Sequence, residues 1–164
     1  MLTLAEIRDW LIKLDVITVA ELNNMPVNEV NTLPVKRLFN DGYIVADHFY
    51  IGKLDSKKEK SIGLYQLKKD SLPKIALGGL ECTKTMETSL SILVHWNRNA
   101  RETESKSIEL YNRLFNMRNF YINKTKVNYI KLLTPEPVDV GTDDSNIYER
   151  VIEATFYYER KEEK

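Results

Sequence analysis

Residues 134–158, TPEPVDVGTDDSNIYERVIEATFYY, restrict the possible folds of this chain more than any other stretch. The first half, 134–146, holds two prolines, one glycine and four acidic residues, Glu136, Asp139, Asp143 and Asp144. Proline lacks a backbone donor and breaks helices, so this run neither continues a helix nor pairs along its length as a central strand. The second half, 147–158, alternates. Ile152, Ala154, Phe156 and Tyr158 share one face, while Glu153, Thr155 and Tyr157 share the other. The chain must therefore contain a sheet with a buried face, entered through an exposed polar loop. A long exposed loop joined to so well patterned a strand is expected to make contacts of its own.

The remaining segments supply partners for that strand. Residues 3–14 read as a helix, with Thr3 and Glu6 at capping-box spacing and Leu4, Ile7, Trp10, Leu11 and Leu14 on one stripe. Residues 99–117 read as a second helix, with Asn99 as cap, Glu102 three residues on, and Ile108, Tyr111, Leu114 and Phe115 at helical spacing. Between them, 49–54 and 61–67 are expected to form a hairpin around the charged run 56–60. Residues 68–73 make a second polar turn, 75–77 a short strand broken by Gly78-Gly79, and 88–96 a strong strand. Residues 120–122 and 126–133 pair around 123–125, and the charged end, 159–164, is expected to fray. In the 15–47 segment the pattern is weaker: a short helix at 19–25 ended by Pro26, and another at 34–40 stopped by Asp41-Gly42. The order predicts an α+β fold, a mainly antiparallel mixed sheet flanked by at least two amphipathic helices. A length of 164 residues fits a single domain over 1–164, with 15–47 as a helical insertion.

Chemistry is sparse. Basic and acidic residues balance at 24 each, which argues against an overall electrostatic grip on nucleic acid or anionic lipid. No apolar run approaches the roughly 18 residues of a membrane span, and no stretch has a signal-peptide pattern. Cys82 is the one cysteine, so no intrachain disulfide forms, and a nucleophilic role would need a histidine such as His95 beside it. His48 and His95 fit no zinc-ligand spacing and read as structural or surface residues. Gly78-Gly79 lacks the phosphate-loop context and reads as a bulge or tight turn. Asp139, Asp143 and Asp144 lack the spacing of a calcium loop; a solvated turn, or carboxylates meeting basic groups on another chain, fits them better. No nucleophile–base pair is visible, so no enzyme, cofactor or metal is expected. Lys57, Lys58, Lys60, Lys68 and Lys69 crowd two turns, where solvated charge also discourages edge-to-edge aggregation. Tyr129, Tyr148, Tyr157 and Tyr158 crowd the last two strands. Ordinary sheet propensity and a face that meets a neighbouring subunit both account for them.

Several strings together resemble a known family. They are Trp10-Leu11, Tyr50-Ile51-Gly52-Lys53-Leu54-Asp55, Glu59-Lys60-Ser61-Ile62-Gly63, Ile75-Ala76-Leu77-Gly78-Gly79-Leu80-Glu81, Ser91-Ile92-Leu93-Val94-His95-Trp96, and the run from Pro135 to Asp144. The chain resembles, over 1–14 and 49–160, the small minor capsid proteins encoded in tail-gene clusters of phages and prophages of Gram-positive bacteria. That family is similar to the tail terminators of long-tailed phages. The resemblance implies a non-enzymatic virion tail protein, assembled in the host cytoplasm as a ring, usually a hexamer, on the head-proximal end of the tail tube. Its partners would be its own copies, the tube protein and a head–tail joining or neck protein, with non-specific contact to DNA in the lumen. On that basis Glu136, Asp139, Asp143, Asp144, Tyr148 and Tyr157 are the expected subunit or tube interface. The Lys57, Lys58, Lys60 and Lys68, Lys69 turns are the expected lumen- or tube-facing positions. Two other readings stand beside it: a neck protein facing the capsid, and a small nucleic-acid-binding α+β domain.

Overall fold

The computed structural model describes residues 1–14, 49–55, 57–68, 75–115 and 117–160. The helices expected at 19–25 and 34–40, the 15–47 insertion, His48 and Lys69 lie outside the described residues. Strand β7, Tyr148–Glu159, is the axis of the sheet. Along one side it pairs antiparallel with β3 (Thr85–His95) over the whole of β3, from Thr85↔Glu159 to His95↔Glu149. Beyond β3 lie β2 (Ser61–Gln66), antiparallel, and β1 (Phe49–Ile51), parallel to β2. Along its other side β7 pairs first with β6 (Val138–Thr142) and then with β5 (Thr125–Leu132), and β4 (Arg118–Ile122) closes that edge against β5. The fold is α+β, as expected: a seven-stranded mixed sheet in the order β1-β2-β3-β7-β5-β4, with β6 beside β5 on β7.

The alternation read in the sequence sets the core. Ile152, Ala154 and Phe156 of β7 are wholly buried, with Leu90, Ile92 and Val94 of β3 facing the same way. Each such large side chain contributes about 1.5–3 kcal/mol by leaving water. Helix α1, Leu4–Leu14, starts on a complete capping box: Thr3 N–H donates to Glu6 Oε2 at 3.0 Å and Glu6 N–H to Thr3 Oγ1 at 3.2 Å. It buries Ile7, Trp10, Leu11 and, beyond the predicted stripe, Ile12. The Trp10 ring stacks on Phe120 at 5.0 Å and meets Phe156 edge-on at 5.9 Å, which fastens α1 to β4 and β7. Helix α2, Ala100–Leu114, is capped by Asn99, whose Oδ1 accepts from Arg101 and Glu102 N–H. Glu102 does not close the box on Asn99; its carboxylate accepts from Asn97 Nδ2. The helix ends before the expected Met117 because Phe115 is extended (φ −66°, ψ 129°). No helix among the described residues is long and apolar enough to cross a membrane.

Three expectations need correction. The segments 49–54 and 61–67 do not form a hairpin, since β1 and β2 run parallel. Gly52, at φ +77°, turns the chain out of the sheet, and the turn at 57–60 leads into β2 at the end where β1 began. Gly63 leaves room for this return: a Cβ there would sit 3.1 Å from Leu54 Cδ2. Residues 75–77 are not a strand but an exposed turn, closed by the Gly79 N–H to Ala76 C=O bond with Gly79 at φ +84°. Finally, the 134–146 run is not all loop. Its middle forms β6, an edge strand collinear with β5 on the same side of β7. Pro135 and Pro137 fall in the gap between the two, where neither has to donate to the ladder. The gap is pinned from both sides, by Tyr111 Oη donating to Thr134 C=O at 2.6 Å and Arg150 Nη1 to Pro137 C=O at 3.5 Å.

Candidate functional site

The sheet has a charged end, where β2 begins, β3 finishes, β6 turns into β7 and α2 starts. The β6–β7 turn is built by Asp143. Its Oδ1 accepts from Ser145 N–H at 2.9 Å and Ile147 N–H at 3.0 Å, and its own N–H donates to Ile147 C=O at 3.1 Å. Asn146 completes the reversal at φ 61°, a left-handed position that asparagine tolerates. Arg98 ties this turn to its neighbour, with Nε donating to Ser145 C=O at 3.2 Å and Nη1 lying 3.6 Å from Glu59 Oε1. The neighbouring turn, 57–60, is anchored by Lys60 N–H donating to Trp96 C=O.

At the floor of this end lies His95, wholly buried. Its Nε2 is 3.7 Å from Asp143 Oδ2, and its Nδ1 is 3.4 Å from Glu149 Oε2. Asp143 Oδ2 is buried and has no hydrogen bond among the described residues. His95, Asp143 and Glu149 form a cluster of three side chains able to ligate a metal. Sequence reasoning missed it because its members are 48 and 54 residues from the histidine at their nearest and farthest. Only the sheet register, His95↔Glu149, brings them together. No local spacing could have signalled it. Among the described residues Cys82 belongs to no such arrangement: it is exposed, and the full length of β3 separates it from His95.

The predicted interface residues do not form one surface. Glu136, Asp139 and Asp144 are exposed along the β6 arm. Asp139 is 4.0 Å from Arg150 Nη2, which also faces Glu104 of α2 at 4.0 Å, so that carboxylate is partly engaged within the chain. Asp143 turns inward and shapes the loop. Tyr148 is half-buried at the base of the arm, opposite Thr142. Tyr157 is nine residues further along β7, about 30 Å away at strand spacing. There it stacks on Tyr129, centroids 4.5 Å apart, on the sheet face away from the helices. Its phenol pKa is raised, first by burial and then by the Glu87 carboxylate and Tyr129. Tyr158, by contrast, is core. The basic turns are likewise separate: Lys57, Lys58 and Lys60 precede β2, while Lys68 follows it at the opposite end.

The exposed aliphatic side chains were the other missed feature. β6 presents Val138 and Val140, 43% and 53% exposed, on a strand whose five residues all face solvent. Among the described residues no strand pairs with its outer side. An edge of this kind is a template for another chain. No curated protein matches the chain. A family model described as bacteriophage tail terminator protein matches residues 19–160, which takes in most of the 15–47 segment and leaves α1 outside. With the match spanning well over half its length, the chain belongs to the bacteriophage tail terminator family.

Proposed function

We propose that this chain assembles as a ring, a hexamer in the leading form, on the head-proximal end of a phage tail tube. There it stops tube polymerisation and presents the surface that joins the head. The action is structural, with no catalysis: one face of the ring binds the last tube subunits, and the other accepts a neck protein while refusing further tube protein. The observation that carries the reading is the β6 arm. It is an edge strand whose outer backbone groups pair with no described strand, with two exposed valines and a border of carboxylates, Glu136, Asp139 and Asp144. A closed ring needs two different surfaces that meet head to tail, and a protruding edge suits one of them. The carboxylates would fix register against Lys and Arg of the next subunit more than they add affinity. The Lys57–Lys60 turn, at the same end of the sheet, is the candidate for a position facing the lumen and its DNA.

Removal of the gene and electron microscopy of the particles tests this directly. Overlong, headless tails are expected. Unattached tails of normal length would mean instead that the protein is a neck component. For the arm itself, Glu136 and Asp144 are better targets than Asp143 or Asp139, since charge reversal would break the turn that Asp143 caps and the Gly141 N–H bond that Asp139 accepts. Glu136→Lys with Asp144→Lys should leave the monomer folded and weaken capping. A double variant that still caps tails would reduce the arm to a connection.

A further inference from the structure

We propose that His95, Asp143 and Glu149 form a binding site for a divalent transition cation of the zinc or manganese class. The three side chains come from three places, the end of β3, the β6–β7 turn and the start of β7, and one ligand atom from each lies within 4.8 Å of the others. The cluster is sheltered: the His95, Asp143 and Glu149 side chains are 1%, 14% and 18% exposed.

Asp143 points to a cation. Its Oδ1 is held by two backbone N–H groups, and this fixes the direction of Oδ2 toward the imidazole. Oδ2 is out of water and has no hydrogen bond among the described residues. A buried acceptor left so costs about 1–3 kcal/mol, and more when charged. A positive charge between Asp143 and Glu149 removes that cost. Arg98, the nearby guanidinium, does not supply it, because it is directed at Ser145 C=O and Glu59. One imidazole nitrogen with two carboxylate oxygens is a mixed donor set. It suits zinc or manganese better than calcium, which takes six to eight oxygens, or magnesium, which keeps its waters. Donor bonds of about 2.0–2.2 Å place bound atoms roughly 3.0–3.5 Å apart, so small rotations of the carboxylates close the site. A bound ion would fasten the β6–β7 turn to the end of β3 and so fix the base of the arm. The site itself stands whether or not the chain forms a ring.

The competing counter-charge is a proton on His95, and the test separates the two. Chelator-stripped protein carrying Cys82→Ser, which removes the exposed thiol as a rival ligand, is titrated calorimetrically with zinc chloride and with manganese chloride. Its thermal unfolding is followed with and without each metal. One ion per chain and a raised unfolding temperature are expected. Asp143→Asn keeps an Oδ1 for the two backbone donors and so preserves the turn, yet it and Glu149→Gln should each weaken binding at least about tenfold, the loss seen when even outer-shell partners are removed. No saturable binding of either metal overturns the proposal. So does binding that both variants leave unchanged, or a stability that follows pH and ignores metal.

Discussion

The two halves of β7 have the same backbone conformation and opposite surroundings. From Ile152 to Tyr158 the strand lies between β3 and β5, with α1 and α2 over one face, and its inward side chains are buried to 2% exposure or less. From Tyr148 to Val151 it still pairs with β3, but its other neighbour is β6, a strand with no buried residue. What differs is the next layer. β5 is backed by β4, whose Phe120 and Ile122 enter the core under Trp10, whereas nothing described backs β6. One strand thus carries stability at one end and, in the proposed assembly, a contact surface at the other. Damage at the two ends should therefore be read out by different measurements.

The largest effect is expected in the covered half. Phe156→Ala removes a ring in contact with Trp10 and should cost about 3–5 kcal/mol in denaturant unfolding. A cost under half of that would mean this half is loosely packed and the contrast with β6 is weak. Next comes the buried hydroxyl pair on the other face of the same half, Ser89 Oγ and Thr155 Oγ1 at 2.7 Å. Thr155→Val keeps the shape and strands the serine, for an expected loss of about 1–3 kcal/mol. Asn99→Ala, which frees the Arg101 and Glu102 N–H groups at the start of α2, should cost about 1 kcal/mol in the same assay. The exposed half is predicted to behave otherwise. Val138→Ser with Val140→Ser should leave monomer stability within about 0.5 kcal/mol, as is usual for surface changes. It should nonetheless reduce the ring population in sedimentation velocity. Lost stability with assembly intact would invert the comparison.

The covered half was legible in the sequence because its signal is local. Alternation at period two named Ile152, Ala154, Phe156 and Tyr158, and the capping pattern at Thr3 and Glu6 placed α1. The exposed half was not legible for the same reason. Val138 and Val140 alternate too, but over five residues preceded by two prolines that signal resembles a loop, and only a partner strand makes it a strand. Parallel pairing of β1 with β2 was hidden because the chain reverses twice, at Gly52 and again at the 57–60 turn, where the charged run signalled a single reversal. The His95 cluster depends on register between strands far apart in the chain, which no spacing rule contains.

Tyr157 offers the smallest and most specific test, since it lies in the covered half but on the face away from the helices. Burial first, then Glu87 and Tyr129, disfavour its phenolate and raise its pKa above the ordinary phenol value. The unfolded chain therefore loses this proton before the folded one does as pH rises. Through that interval the unfolded state binds fewer protons, so the slope of stability with pH is negative. The contribution is intact below the unfolded phenol pKa of about 10 and is lost as pH climbs through the raised folded value. At neutral pH, Tyr157→Phe should change little, because the stack on Tyr129 survives without the hydroxyl. In alkaline solution the variant should lose less stability than the parent, and ultraviolet difference spectra should show one late-titrating tyrosine fewer. If that tyrosine titrates in assembled rings as it does in the monomer, assembly leaves its surroundings unchanged. A further upward shift on assembly would place a neighbouring subunit over Tyr129 and Tyr157 and extend the contact surface beyond the β6 end.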